Sequence, residues 1–397
     1  MKGVEKVAER LRVGDYRGSL REALTVEDPL RKLVALLRVL EEFPREEVLY
    51  HMLETLDGIG DTPGKALGLS IVGRGLYSLD REIDAENYFE RAIQLARRIR
   101  SPKLRGEVLG GIARNLARSD RYTDAYLLFC EAVETLNSSR GFSSGVISSL
   151  LKLARLIERS ADETGSDVAL NLYRLARDVY ESAHFQLQAR YLEEKITLIE
   201  DLRKRGRRVI DELIEKGEAS RAVGLMRFLE PEERALELLK LAYWLFLHGR
   251  EGLAKEVLGD ALDLMLVGKF TPKDAEIAGI VHSLLRIGRL EEPLILAGLV
   301  RDRKLTSELL GEIAVAYARV GDEGRARAIA EGISDESIKN RVLKALQGGE
   351  GVEHEQGLPL TGGGEGDRAL PEDDRRGKVQ GTLGQEEDDS AGEGDAP

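Results

Sequence analysis

The sequence contains one cysteine, Cys130. A single thiol cannot make an intramolecular disulfide or a thiolate metal site, so stability has to come from packing in a reducing setting. Long apolar runs are also missing: the longest is the seven residues Leu241 to Leu247, against the ~20 needed to cross a bilayer. The N-terminus carries Glu5 and Glu9 where a signal peptide needs an apolar stretch. These absences predict a cytoplasmic protein with no membrane association. The five histidines, His51, His184, His248, His282 and His354, are too far apart to pair at ligand spacing. No zincin helix, nucleophile elbow or Cys/His arrangement is present. The expectation is a non-enzyme with no catalytic residue, no cofactor and no metal. Asn and Gln together number 12 and Met 4, while 33% of residues are charged. Few thermolabile residues beside many ion-pair formers is the pattern of a thermophile.

Charge is unevenly placed. The net charge is −12, yet residues 348–397 hold 14 acids and 4 bases, which leaves the first 347 residues at −2. The same 50 residues contain 13 of the 42 glycines and no aromatic side chain. Such a composition buries too little apolar surface to offset the entropy of ordering the chain. The sequence therefore predicts a folded body, 1–347, followed by a disordered, Gly-rich acidic tail, 348–397.

Within the body, apolar residues recur at helical spacing, as in Leu33, Leu36, Leu37 and Leu40, or Leu236, Leu239, Ala242, Tyr243 and Phe246. No alternation persists long enough for a sheet. Short polar breaks of one form separate the helices: Gly14-Asp15, Asp80-Arg81, Asp120-Arg121, Gly217-Glu218, Gly249-Arg250, Gly288-Arg289 and Gly321-Asp322. The first residue of such a pair suits the left-handed conformation that ends a helix, and the second suits the next helix start. Five residues after each break opens stands a compact side chain: Ser19, Ala85, Ala125, Ala222, Ala254, Pro293 or Ala326, with Ala169 in the same role after a longer turn. From Ala85 onward the separations are 40, 44, 53, 32, 39 and 33 residues. They predict a repeated two-helix unit, with one extra helix over about 184–203 in the longest gap and a break between two sub-arrays near 184–208.

The agreement within units goes further. Gly73 precedes Ala85 by twelve residues, and Phe89 and Ala92 follow; Ala113, Ala125, Phe129 and Ala132 repeat the spacing, as do Ala242, Ala254, Leu258 and Ala261. On these residues the chain resembles the tetratricopeptide repeat, over about residues 4–347. Close helix crossings need small residues at the contact and a large apolar one filling the adjacent hole. No Trp opens a unit, and most units lack the closing Pro. The resemblance implies an all-α fold, a right-handed superhelical array of about eight antiparallel helical hairpins. A compact helical bundle is the alternative.

Segment Gly58 to Ala66 superficially suggests a phosphate-binding loop. Ile59 stands where the first Gly is required, and Ala66 where Ser or Thr is, so it reads as an interhelical loop. Cys130 follows Phe129 in a packing helix and reads as a buried, inert thiol. The apolar run 241–247 needs cover on more than one side, from a neighbouring hairpin or from a second subunit in a homodimer.

The resemblance also implies that each first helix lines a concave face that binds partners, often extended peptides. The residue after the small first-helix position then points into the groove. Reading it off gives Arg74, Arg114 and Arg155, with Arg118 and Arg159 one turn on. Guanidinium groups recognise carboxylate and phosphate; the competing reading is that these five are solvated or paired surface charges. A second basic run, Arg203, Lys204, Arg205, Arg207 and Arg208, either caps the extra helix or contacts phosphate.

The expected function is a non-catalytic scaffold or adaptor that binds a protein partner, in particular an acidic segment, on the concave face. The acidic tail would be an internal competitor there, at high effective concentration. The alternative is an RNA- or ribosome-associated regulatory factor that grips phosphate with both arginine clusters.

Overall fold

The hairpin turns decide the architecture, and seven of them share one conformation. In a computed structural model that describes residues 2–139, 144–165 and 167–347, Gly14, Asp80, Asp120, Gly217, Gly249, Gly288 and Gly321 all have positive φ, between 54° and 86°. The next residue then returns its N–H to a carbonyl five residues back: Arg81 to Leu76 and Arg121 to Leu116 at 3.0 Å, Arg250 to Leu245 at 2.9 Å. This is the helix-ending hydrogen bond of a Schellman turn, which satisfies an orphan carbonyl while reversing the chain. All seven breaks read from the sequence thus adopt the predicted conformation.

The described residues form twenty helices. Consecutive helices pair as hairpins: α1 (Lys2–Arg12) with α2 (Tyr16–Leu24), α3 (Pro29–Glu42) with α4 (Glu46–Asp57), α5 (Thr62–Tyr77) with α6 (Glu82–Arg97), and α7 (Pro102–Ala117) with α8 (Tyr122–Asn137). Next come α9 (Ser144–Glu163) with α10 (Val168–Ser182), and the unpaired α11 (Gln186–Arg205), which packs on α10. The array continues with α12 (Arg208–Glu215) and α13 (Ala219–Met226), α14 (Pro231–Leu247) and α15 (Glu251–Leu266), α16 (Asp274–Arg286) and α17 (Glu291–Ala297), and α18 (Arg303–Arg319) and α19 (Glu323–Glu331). Helix α20 (Glu336–Gln347) closes it against α18 and α19.

Among the described residues one hairpin, α3/α4, adds to the expected eight, and the expected extra helix lies within two residues of its predicted place. Hairpin α3/α4 has no Gly-polar break: Pro44 stands in its turn, and Arg45 opens α4 without a side-chain cap. The extra helix runs from Gln186 to Arg205, and His184, at φ 63°, gives its entry turn the same left-handed form from a residue that carries no Gly signal.

Small residues sit where helices cross. Ala85, Ala125, Ala169, Ala222, Ala254 and Ala326 are all buried, as are Ser19 and Pro293. A Cβ on Gly73 would lie 3.3 Å from both the Ala85 carbonyl oxygen and the Phe89 ring. One buried apolar core runs from Val7 to Ala326, and a smaller cluster lies under α20. Residues Met1–Gln347 form one compact unit. The predicted acidic tail, 348–397, lies outside the described residues.

Candidate functional site

First helices lie side by side in the order α3, α5, α7, α9, and side-chain bonds cross each boundary. Glu41 of α3 pairs with Arg74 of α5. Asn115 of α7 donates to Ser70 Oγ of α5 at 2.8 Å. From α9, Ser149 donates to Glu107 of α7 at 2.5 Å, and Ser160 accepts from Arg114 Nη1 at 3.0 Å. Arg114 Nη2 also reaches Glu163, which Arg118 Nη2 approaches to 3.2 Å.

Three of the five predicted arginines are thereby brought together. Arg74 and Arg114 are only 12% exposed, and the Arg74 Nε is buried without a hydrogen-bond partner. Burial holds the Arg74 guanidinium below its usual range; Glu41 opposes this, while Arg118 and Arg114 push in the same direction as burial. Burial pushes the Glu163 carboxyl up, but Arg114 and Arg118 outweigh it and the net displacement is downward. Two ion-paired groups thus lie near each other, Arg74 with Glu41 and Arg114 and Arg118 with Glu163, close enough for the three cations to repel.

The other two arginines do not join it directly. Arg155 is exposed and lies against the Tyr180 hydroxyl on α10. Arg159 is exposed and makes no ion pair among the described residues. It sits one turn before Glu163, on the same side of α9.

The basic run 203–208 is largely engaged locally. Arg203 pairs with Asp167 at 2.5 Å, Arg205 pairs with Glu212, and Arg207 lies 3.5 Å from Glu276 and 3.7 Å from Glu233. Arg203, Lys204 and Arg205 fill the last turn of α11, where cations complement exposed carbonyls. Lys204 and Arg208 are exposed. Arg203 and Arg207 also border an open cleft of about 400 Å3, floored by Leu202, Phe228 and Leu229.

The remaining sequence motifs are structural. Only Gly58 to Asp61 of the phosphate-loop lookalike is non-helical. The expected loop is shorter because Asp61 caps Gly64 N–H at 2.7 Å and Pro63 lies in the first turn of α5. Lys65 Nζ meanwhile caps α4 through the Leu56 carbonyl at 2.6 Å. Cys130 is half-buried, and burial pushes its thiol up. In the run 241–247, Leu241, Ala242, Leu245 and Phe246 are buried, and α15 packs on this helix. Leu247 is left 53% exposed.

Two polar clusters, each built around one buried side chain, gave no signal in the sequence. Glu237 of α14 is fully buried, with Oε1 2.9 Å from Lys240, Oε2 without a partner, and Arg207 at 3.9 Å. Burial pushes its carboxyl up to about 7. Tyr173 of α10 donates to Asp162 at 2.6 Å and accepts from Arg227, whose Nη1 also bonds the Asp162 carbonyl at 2.6 Å. Arg227 follows α13, so this cluster ties helices on either side of α11.

Among the described residues, no group of three or more His, Cys, Asp or Glu could hold a metal ion. No described helix is long and apolar enough to cross a membrane.

No protein-family model matches the chain, and no curated protein matches it. Among solved structures, it is similar to Ton1535 from Thermococcus onnurineus NA1, with a TM-score of 0.51 and 23% identity over 88% of this chain and 99% of that one. At that identity the likeness shows the fold alone. BtubC (BKLC) from P. vanneervenii matches at a TM-score of 0.22 and 14% identity over 85% of this chain and 100% of its own. A circular tandem repeat protein matches at 0.17 and 16% over 87% and 86%.

Proposed function

We propose that the protein is a non-catalytic adaptor of the tetratricopeptide-like kind, whose first-helix face between α3 and α9 holds an acidic segment of a partner protein. A helical-repeat fold suits an interaction role. The observation that carries the finer reading is the convergence of Arg74, Arg114 and Arg118 on the carboxylates of Glu41 and Glu163. Carboxylate recognition is the chemistry this reading requires. Arg159 adds an exposed cation with no ion pair among the described residues on the neighbouring helix.

For the alternative, an RNA- or ribosome-associated factor, the run 203–208 offers Lys204 and Arg208 as exposed cations with no ion pair among the described residues. Arg203, Arg205 and Arg207 already face carboxylates. The carboxylate reading is preferred because Arg74, Arg114 and Arg118 come from adjacent first helices and meet carboxylates across unit boundaries.

Fluorescence polarisation of a labelled decaglutamate peptide with the full chain tests it. Arg118→Gln/Arg159→Gln removes two exposed cations without touching the core. Binding that weakens with salt and falls roughly tenfold or more in the double variant is the expected result. Equal affinity for both proteins contradicts the reading.

A further inference from the structure

We infer that Glu41 and Glu163 occupy, in the free protein, the positions that a partner's carboxylates take, so that the first-helix face carries its own competing ligand. This rests on the acidic-partner reading above and adds to it a mechanism and a two-carboxylate requirement.

Where the two acids sit is the first argument. Glu163 is the last residue of α9, and Glu41 is the penultimate residue of α3. A helix C-terminus carries partial negative charge and disfavours a carboxylate in its last turn. The helices therefore oppose both acids, and the arginines hold them. The arginines are favourably placed by the same rule: Arg74 and Arg114 lie in the last turns of α5 and α7, and Arg118 follows directly. Any carboxylate supplied from outside would meet the cations without being tied to a helix end.

Burial supplies the second argument. At 12% exposure, Arg74 and Arg114 cannot be left without a counter-charge except at high cost. Glu41 and Glu163 are more accessible, at 31% and 39%. Rotating either side chain outward transfers it to water with no movement of helix backbone. The exchange keeps two carboxylates on the cluster while Glu41 and Glu163 regain solvent. An intramolecular competitor of this kind acts at a high effective concentration and lowers the affinity of every external ligand by the same factor.

Removing the competitor should therefore tighten binding, the opposite of what loss of a simple contact residue would do. The experiment measures labelled decaglutamate binding to the full chain in four forms: wild type, Glu41→Gln, Glu163→Gln, and Glu90→Gln on α6 as a charge control. Circular dichroism confirms the fold of each. The expected result is a gain of roughly tenfold for Glu163→Gln, which frees two arginines, a smaller gain for Glu41→Gln, and none for Glu90→Gln. Unchanged or weaker binding in Glu163→Gln overturns the inference, as does an equal gain in Glu90→Gln, which would mark a net-charge effect. If wild type binds and Arg118→Gln/Arg159→Gln loses affinity while Glu163→Gln stays level, only the competitor idea falls. If no form binds decaglutamate at low salt, the acidic-partner reading falls with it.

Discussion

Arg114 of α7 reaches across a helix boundary to Glu163, the residue that ends α9, and its other terminal nitrogen lies 3.0 Å from Ser160 Oγ. One side chain thus joins two consecutive units and also forms the centre of the candidate binding face. Stability and recognition share the same guanidinium. Arg114→Met keeps most of the apolar stem and deletes both bonds. A loss of about 1–3 kcal/mol is expected in urea denaturation, together with weaker decaglutamate binding; loss of binding at unchanged stability would show that the residue does not tie the units.

Gly73 faces Phe89 and the Ala85 carbonyl so closely that a Cβ would already be tight, at 3.3 Å. Gly73→Val should push α5 and α6 apart and cost about 1–3 kcal/mol. A midpoint within experimental error of wild type would mean that the crossing is looser than described.

Gly249 and Gly252 give predictions of opposite sign. Neither would bring a Cβ within 4 Å of any other group, but Gly249 has φ 70° whereas Gly252 is helical. Gly249→Ala is expected to cost about 1–2 kcal/mol through backbone conformation alone. Gly252→Ala should stabilise by roughly 0.5–1 kcal/mol. Thermal unfolding of the pair checks both; shifts of the same sign would contradict the turn assignment.

Glu237 makes stability depend on pH. Burial raises its carboxyl to about 7 from an ordinary value of 4.5, so between those values the folded protein binds more protons than the unfolded chain. Stability contributed by this site is then present at low pH and declines as pH rises from about 4.5 to about 7. Glu237→Gln should remove that slope, and the variant should gain on wild type toward pH 8. The groups facing Glu237 are Lys240 of α14, Asp211 of α12 through that lysine, and Arg207, which also meets Glu233 and Glu276. Parallel stability curves for the two proteins would refute the assignment.

The hairpin turns were legible because a left-handed residue followed by a helix start leaves a local mark in sequence. Where another device ends the helix, the mark vanishes: Pro44 hid hairpin α3/α4, whereas the extra helix α11 was legible from the long gap in the spacing of small residues although His184 carries no Gly signal. Spacing from the small residues picked out Arg74, Arg114 and Arg118, which meet carboxylates across unit boundaries, together with Arg155 and Arg159, which do not. The carboxylate partners were not visible, since Glu163 lies 49 residues from Arg114 and 45 from Arg118, and only folding reveals that it meets both. The same holds for Glu237 and Arg207, 30 positions apart in a chain rich in charge.

A photo-crosslinking amino acid placed at position 159, on the first-helix face, and separately at Leu127, which is 61% exposed on the second helix α8, tests the central claim most directly. In cells of the source organism, position 159 should capture a partner through an acidic segment identified by mass spectrometry, with capture suppressed by added decaglutamate, while position 127 captures none. Capture of the same partner from position 127 alone, or capture at 159 that decaglutamate does not reduce, would contradict it.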